Sequence, residues 1–196
     1  VDWWGQIDLY TYSYAWAGDR KTIDNNLFAQ IPANDIRKTQ FSPSGTTALM
    51  PTNKFFHPGR VAGGQQTITT DLVFMRIEEF YLLSAESSAR TGDEATAKTR
   101  LIELLTSRLG GLANATAYVT PLTGQALIDA IYLQTRIEFW GEGKSYLALK
   151  RNQATVTRGS NHVFRANQSF AHDIDEMSFQ IPQTEMNNNP SITTQN

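Results

Sequence analysis

Cysteine is absent from the 196 residues, and with it any disulfide framework and any thiolate-ligated metal site. Histidine is scarce. His57, His162 and His172 are the only three, and no two stand at the i, i+4 spacing of a helical zinc pair. Neither sign of charge dominates: 17 Lys and Arg against 19 Asp and Glu give a net charge of −2. That balance does not suggest a nucleic-acid backbone as partner. No apolar run approaches the roughly 20 residues that span a bilayer as a helix. Catalytic signatures are missing too. There is no Gly-x-Ser-x-Gly elbow, and Gly5, Gly18, Gly63 and Gly64 form neither a phosphate loop nor a dinucleotide fingerprint. What is present is 40% hydrophobic content, enough for one substantial core or two small ones.

The character of the chain changes twice. Residues 1–70 are rich in Trp, Tyr, Gly, Pro and Asn and read as a loop-rich, strand-poor region. Within it Tyr10, Tyr12, Tyr14 and Trp16 alternate with Thr11, Ser13 and Ala15, the period of a half-buried strand. Residues 71–151 read as helical. Asp71 is expected to cap a first helix whose apolar stripe is Val73, Ile77, Phe80, Tyr81 and Ala85. Gly92 ends it, Asp93 caps a second, and Ala97, Leu101, Leu104 and Leu105 point inward until Gly110-Gly111. The two form a helical hairpin over 71–110 of tetratricopeptide size. One such unit cannot bury both its faces, so further helical pairs are expected in chain preceding residue 1. A third helix over 123–151 carries the stripe Ala126, Ala130, Leu133, Ile137 and Trp140 and is broken at Gly141 and Gly143. Residues 152–196 read as an irregular segment, with Phe179 to Pro182 extended and the tail pinned to the surface. The fold class is mainly α.

Two constellations invite a chemical reading. Glu138 and Glu142, with Arg136, Lys150 and Arg151 nearby, suggest paired-carboxylate chemistry, since like charges raise one pKa. The plainer reading is structural ion pairing among Arg136, Glu138, Glu142 and Arg151, because glycosidase carboxylates flank a bond from separate elements. Asp173, Asp175 and Glu176 concentrate carboxylates without the glycine and ligand spacing of an EF-hand loop, so a solvated acidic loop is favoured over calcium. The aromatic stretch is the candidate ligand surface. Trp3, Trp4, Tyr10, Tyr12, Tyr14 and Trp16 offer rings for the flat C–H faces of sugars, with N–H and O–H groups to fix orientation. Packing of the same rings against the helices is the competing reading.

Four short signatures in fixed order carry a resemblance. They are Asp35-Ile36-Arg37-Lys38; Arg76 to Glu86, continuing into Arg90-Thr91-Gly92-Asp93; Arg136 to Lys144, with Lys150-Arg151 following; and Phe179 to Met186, closing with Asn189-Pro190 and Gln195-Asn196. Together they resemble the C-terminal part of the SusD-like (RagB/SusD) outer-membrane nutrient-binding lipoproteins. An arginine-rich stretch common ahead of Glu138 is reduced here to Gln134-Thr135-Arg136. The resemblance implies a longer, mainly helical protein anchored by an N-terminal lipid at the cell surface. It implies non-catalytic capture of oligosaccharides or other nutrients for a SusC-like TonB-dependent transporter; from the residues themselves no cofactor and no metal site is expected. A tetratricopeptide-type protein scaffold stands as the alternative, and a glycan-degrading enzyme using Glu138 or Glu142 with Asp173 or Asp175 as a third reading.

Overall fold

Apolar residues spaced three and four apart dominate after residue 76, and helices follow them. The computed structural model describes residues 21–51, 54 and 74–195. The chain divides into two compact units, Val1–Ser145 and Tyr146–Asn196.

In the first unit, α1 (Asn25–Ala29) starts where Asp24 accepts hydrogen bonds from the Asn26 and Leu27 amides, at 2.8 and 3.0 Å. A short 3₁₀ turn spans Ile36–Gln40, and a second spans Gly45–Thr47. Helix α2 (Ile77–Arg90) has Glu78 and Glu79 in its first turn and Arg90 in its last, the arrangement that complements its dipole. Gly92, at φ +87°, makes the turn into α3 (Glu94–Thr106), which Asp93 caps by accepting from the Thr96 amide at 3.0 Å. Helices α4 (Leu112–Val119) and α5 (Gly124–Glu138) follow.

Helix α3 packs against both α2 and α4, and α2 packs against α5. The expected hairpin thus has α5 against its first helix and α4 against its second within this chain. The first core gathers Leu82, Ala85, Leu101, Leu105, Val119, Leu127 and Ile131. A second core joins Ile23, Leu27, Ile31 and Phe41 to Ile137, with Leu133 and Trp140 against it. Helix α5 thus serves both cores, Leu127 and Ile131 toward one and Leu133 and Ile137 toward the other.

Several sequence expectations are corrected here. The first helix begins at Ile77 with Arg76 at the cap position, not at Asp71, which lies outside the described residues along with Val73. Its buried face is Leu82, Ala85 and Glu86, while Ile77 and Phe80 stand 64% and 53% exposed. The reason is that α2 contacts both α3 and α5, and those neighbours select a face rotated from the expected stripe. In α5, Ala126 is exposed and Leu127 buried, because a helix between two cores needs apolar residues on two faces. Helix α4 lies where Gly110-Gly111 signalled only a stop; the glycines, at φ +77° and +128°, turn the chain into it.

The second unit holds most of α6 (Ser145–Arg151), a hairpin of β1 (Val156–Thr157) and β2 (Ser169–Phe170), and α7 (Gln183–Asn188). The strands pair antiparallel, Val156 opposite Phe170 and Thr157 opposite Ser169. This hairpin and a 3₁₀ turn at Asp175–Met177 occupy part of the segment expected to be loop throughout. The tail is held by a reciprocal pair: the Ile181 amide donates to Gln195 Oε1 at 2.9 Å, and Gln195 Nε2 donates to the Ile181 carbonyl at 3.0 Å. Among the described residues no helix is long and apolar enough to cross a membrane.

Candidate functional site

Three of the four signatures meet at one side chain. Glu138, at the last turn of α5, is buried with its side chain 3% exposed, and three arginines from distant parts of the chain converge on it. Arg37 Nη1 donates to Oε2 at 3.0 Å, Arg76 Nη1 to Oε1 at 2.8 Å, and Arg108 Nη2 to Oε1 at 2.8 Å. Arg108 Nε adds a bond to Oε2 at 3.1 Å. The 3₁₀ turn at Ile36–Gln40 fixes Arg37, because Asp35 accepts from both its amide and its guanidinium. Arg37 also donates to Gln134 Oε1.

The network extends past the end of α5. Arg76 holds Glu142 in a two-pronged contact, Nε to Oε2 at 2.9 Å and Nη2 to Oε1 at 3.0 Å, with Phe139 beneath its guanidinium at 4.7 Å. Lys54 Nζ reaches Glu142 Oε1 at 2.9 Å and the Glu138 carbonyl at 3.0 Å. Glu78 closes the outer side by accepting from Arg108 at 2.8 Å. Arg37, Lys54, Arg76 and Arg108 face Asp35, Glu78, Glu138 and Glu142, so the cluster is balanced.

Electrostatics fix the protonation states. Burial alone would push the Glu138 carboxyl up, but the hydrogen bond from Arg108, the charge of Arg37 and the contact with Arg76 outweigh it and hold the pKa at about 2. Arg76 is raised: burial opposes its charge, and the hydrogen bonds to Glu142 and Glu138 overcome that opposition. Lys54 goes the other way, since burial lowers it more than Glu142 restores. A carboxylate held at about 2 between guanidinium groups is a poor proton donor near neutrality, which leaves Glu138 unsuited to the general-acid role of a paired-carboxylate catalyst. What the arrangement does is clamp the end of α5 to the segments carrying Arg37 and Arg76.

The expected site residues fall in different places. Trp3, Trp4, Tyr10, Tyr12, Tyr14 and Trp16 lie outside the described residues. Glu138 and Glu142 sit in the network, but their cations are Arg37, Lys54, Arg76 and Arg108. Arg136 instead stacks its guanidinium 5.7 Å from the ring of Tyr132, and Arg151 is exposed at the end of α6. Asp173 and Asp175 are exposed, and among the described residues no group of His, Cys, Asp and Glu could hold a metal ion. Sequence reasoning quoted Arg37 and Arg76 inside signatures without giving them a role. Arg108, after the end of α3, had no signal.

Among the described residues, the first unit is helical and clamped by a buried arginine–glutamate cluster on which its short signatures converge, and the fold class is mainly helical. A family model, the SusD family, matches residues 8–196, and the chain belongs to that family. The structure is similar to that of a SusD superfamily protein from Bacteroides thetaiotaomicron, at a TM-score of 0.62 and 22% identity. That match covers 87% of this chain and 39% of the other. It is also similar to a SusD-like carbohydrate binding protein from Bacteroides vulgatus, at a TM-score of 0.52 and 26% identity, over 76% of this chain and 33% of the other. The chain thus spans less than two-fifths of the length of these structures. No curated protein matches the chain.

Proposed function

We propose that this protein is a non-catalytic binder of glycans or related nutrients at the cell surface, and that it passes them to a SusC-like TonB-dependent transporter. The observation that carries the reading is family membership over residues 8–196, joined by likeness to a carbohydrate binding protein at 26% identity. The engagement of Glu138 and Glu142 by arginines supports a binding role over hydrolysis, because neither carboxylate is available to a glycosidic bond. Ligand contact is assigned to the aromatic stretch of Trp3, Trp4, Tyr10, Tyr12, Tyr14 and Trp16. Rigid rings bind sugar faces at little cost in rotamer freedom.

Calorimetry against a panel of oligosaccharides and short peptides tests this. We expect an oligosaccharide to bind in the micromolar range, about −8 kcal/mol. Trp4→Ala or Trp16→Ala should weaken that binding by about tenfold while leaving the unfolding midpoint in place. Substitutions that are all neutral, or all globally destabilising, would remove the aromatic platform. Shortened oligosaccharide products after incubation would remove the non-catalytic reading.

One observation favours a second reading, a protein-binding scaffold. Ile77, Phe80, Tyr81 and Ser84 of α2, with Arg100 of α3, line an open groove of about 250 Å³ in which Ile77 and Phe80 are exposed. Exposed apolar side chains in a helical groove suit a partner helix. A peptide hit in the same panel, with silence from every oligosaccharide, would select it.

A further inference from the structure

The β1–β2 hairpin differs in charge from the rest of the protein. Residues 152–172 contain no Asp or Glu, in a chain whose net charge is −2, yet they carry Arg158, Arg165, His162 and His172. Arg158 and Arg165 stack together on two rings. Arg158 lies 5.1 Å from the buried Phe170 ring and 6.0 Å from the Phe164 ring; Arg165 lies 5.6 and 5.3 Å from the same two. Phe170 is 7% exposed and anchors the stack, whereas Phe164 is 67% exposed and Val163 beside it is fully exposed. The outer ring therefore faces solvent with two guanidinium groups beside it.

The hydrogen bonds of both arginines leave the same edge open. Arg158 uses Nη1, which donates to the Phe164 carbonyl at 2.7 Å, and Arg165 uses Nη1, which contacts Glu176 Oε1 at 3.2 Å. Among the described residues no other group accepts from the side chain of Arg158 or Arg165, so the Nε–Nη2 edge of each is unengaged. That edge is one a carboxylate can grip with two parallel bonds. Arg158 has no carboxylate partner at all among the described residues. In the same turn Arg165 and Asn167 sit at φ +52° and +60°, a left-handed conformation uncommon for residues other than glycine.

We propose that Arg158, Phe164 and Arg165 form a docking site for an acidic glycan, one whose sugars carry carboxylates. The inference rests on the glycan-binding reading above. The exposed Phe164 ring takes the C–H face of a sugar, and the open guanidinium edges take its carboxylate. A neutral glycan uses only the ring and leaves Arg158 without an anion, while Arg165 keeps its ion pair with Glu176.

The test is calorimetry of the protein with tetragalacturonate and, separately, with its tetramethyl ester, in which each carboxylate is neutralised on the same sugar frame. Tetragalacturonate is expected to bind at least tenfold more tightly than the ester, and to weaken as salt rises. Arg158→Gln should erase that difference, and Phe164→Ala should weaken both ligands. Phe164 is exposed, so its loss leaves folding intact and gives a variant safe from the trivial explanation. Equal binding of acid and ester overturns the proposal. So does tight tetragalacturonate binding unchanged in Arg158→Gln and Phe164→Ala, which places the glycan elsewhere and leaves the binder reading standing. Equally tight, Arg158-dependent binding of tetra-aspartate would assign the site to acidic peptide instead. Failure of every saccharide in the wider panel, acidic and neutral, overturns the binder reading itself.

Discussion

Glu138→Gln is expected to destabilise the protein by about 3–5 kcal/mol, the usual cost of removing one partner from a buried ion cluster. The isosteric amide keeps the shape and removes the charge. Arg37, Arg76 and Arg108 then face one another around a neutral group, with Arg37 only 3% exposed in its side chain and unable to recover water. Urea unfolding of both proteins measures the difference, and Glu138→Asp serves as a companion that keeps the charge while shortening the reach. A loss below 1 kcal/mol for Glu138→Gln would show that the cluster does not hold the fold. The sign of this prediction does not extend to wholesale replacement. Apolar residues of matched volume across the whole cluster could cost little, because the desolvation of every ion would be avoided.

Acidification should reproduce part of that loss without any substitution. The Glu138 carboxyl titrates at about 2 in the folded protein and at 4.5 as its ordinary value. A folded pKa below the unfolded one contributes stability that is complete above pH 4.5 and is lost as pH falls from 4.5 toward 2. The gap corresponds to about 3 kcal/mol, at roughly 1.4 kcal/mol for each unit. Unfolding free energies measured down that range should fall steeply in the parent protein. In Glu138→Gln the slope should be shallower, and identical slopes would sink the assignment of the acid lability to Glu138.

Much of the helical part could be read from residue spacing. Ala97, Leu101, Leu104 and Leu105 are buried as their period demands, and Asp93 caps its helix through Thr96. Local signals of that kind need only the next turn of chain to be correct. Where packing is shared the reading faltered. The stripe through Ile77 and Phe80 is genuinely apolar, but the face of α2 that goes inward is chosen by α3 and α5, which the local pattern does not contain. Helix α5 hid a second apolar face, Leu127 and Ile131, behind the first because it serves two cores. The carboxylates of the central cluster were visible and their cations were not: Arg37 and Glu138 are 101 residues apart, and no spacing rule joins them. The exposed Phe164 between two arginines was equally hidden, since it depends on a two-residue strand pairing that only the fold specifies.

That separation along the chain bears on the order in which the protein assembles. Glu138 must draw in Arg37, Arg76 and Arg108 across 101, 62 and 30 residues, whereas the α2–α3 turn closes between neighbours. Closing long loops costs entropy before any contact returns it, so distant partners meet late and local hairpins form early. The arginine cluster is therefore expected to close late, as the latch of the folding reaction and not its nucleus. Its loss should accelerate unfolding far more than it slows folding, which makes Glu138 a determinant of how long the native state lasts once formed.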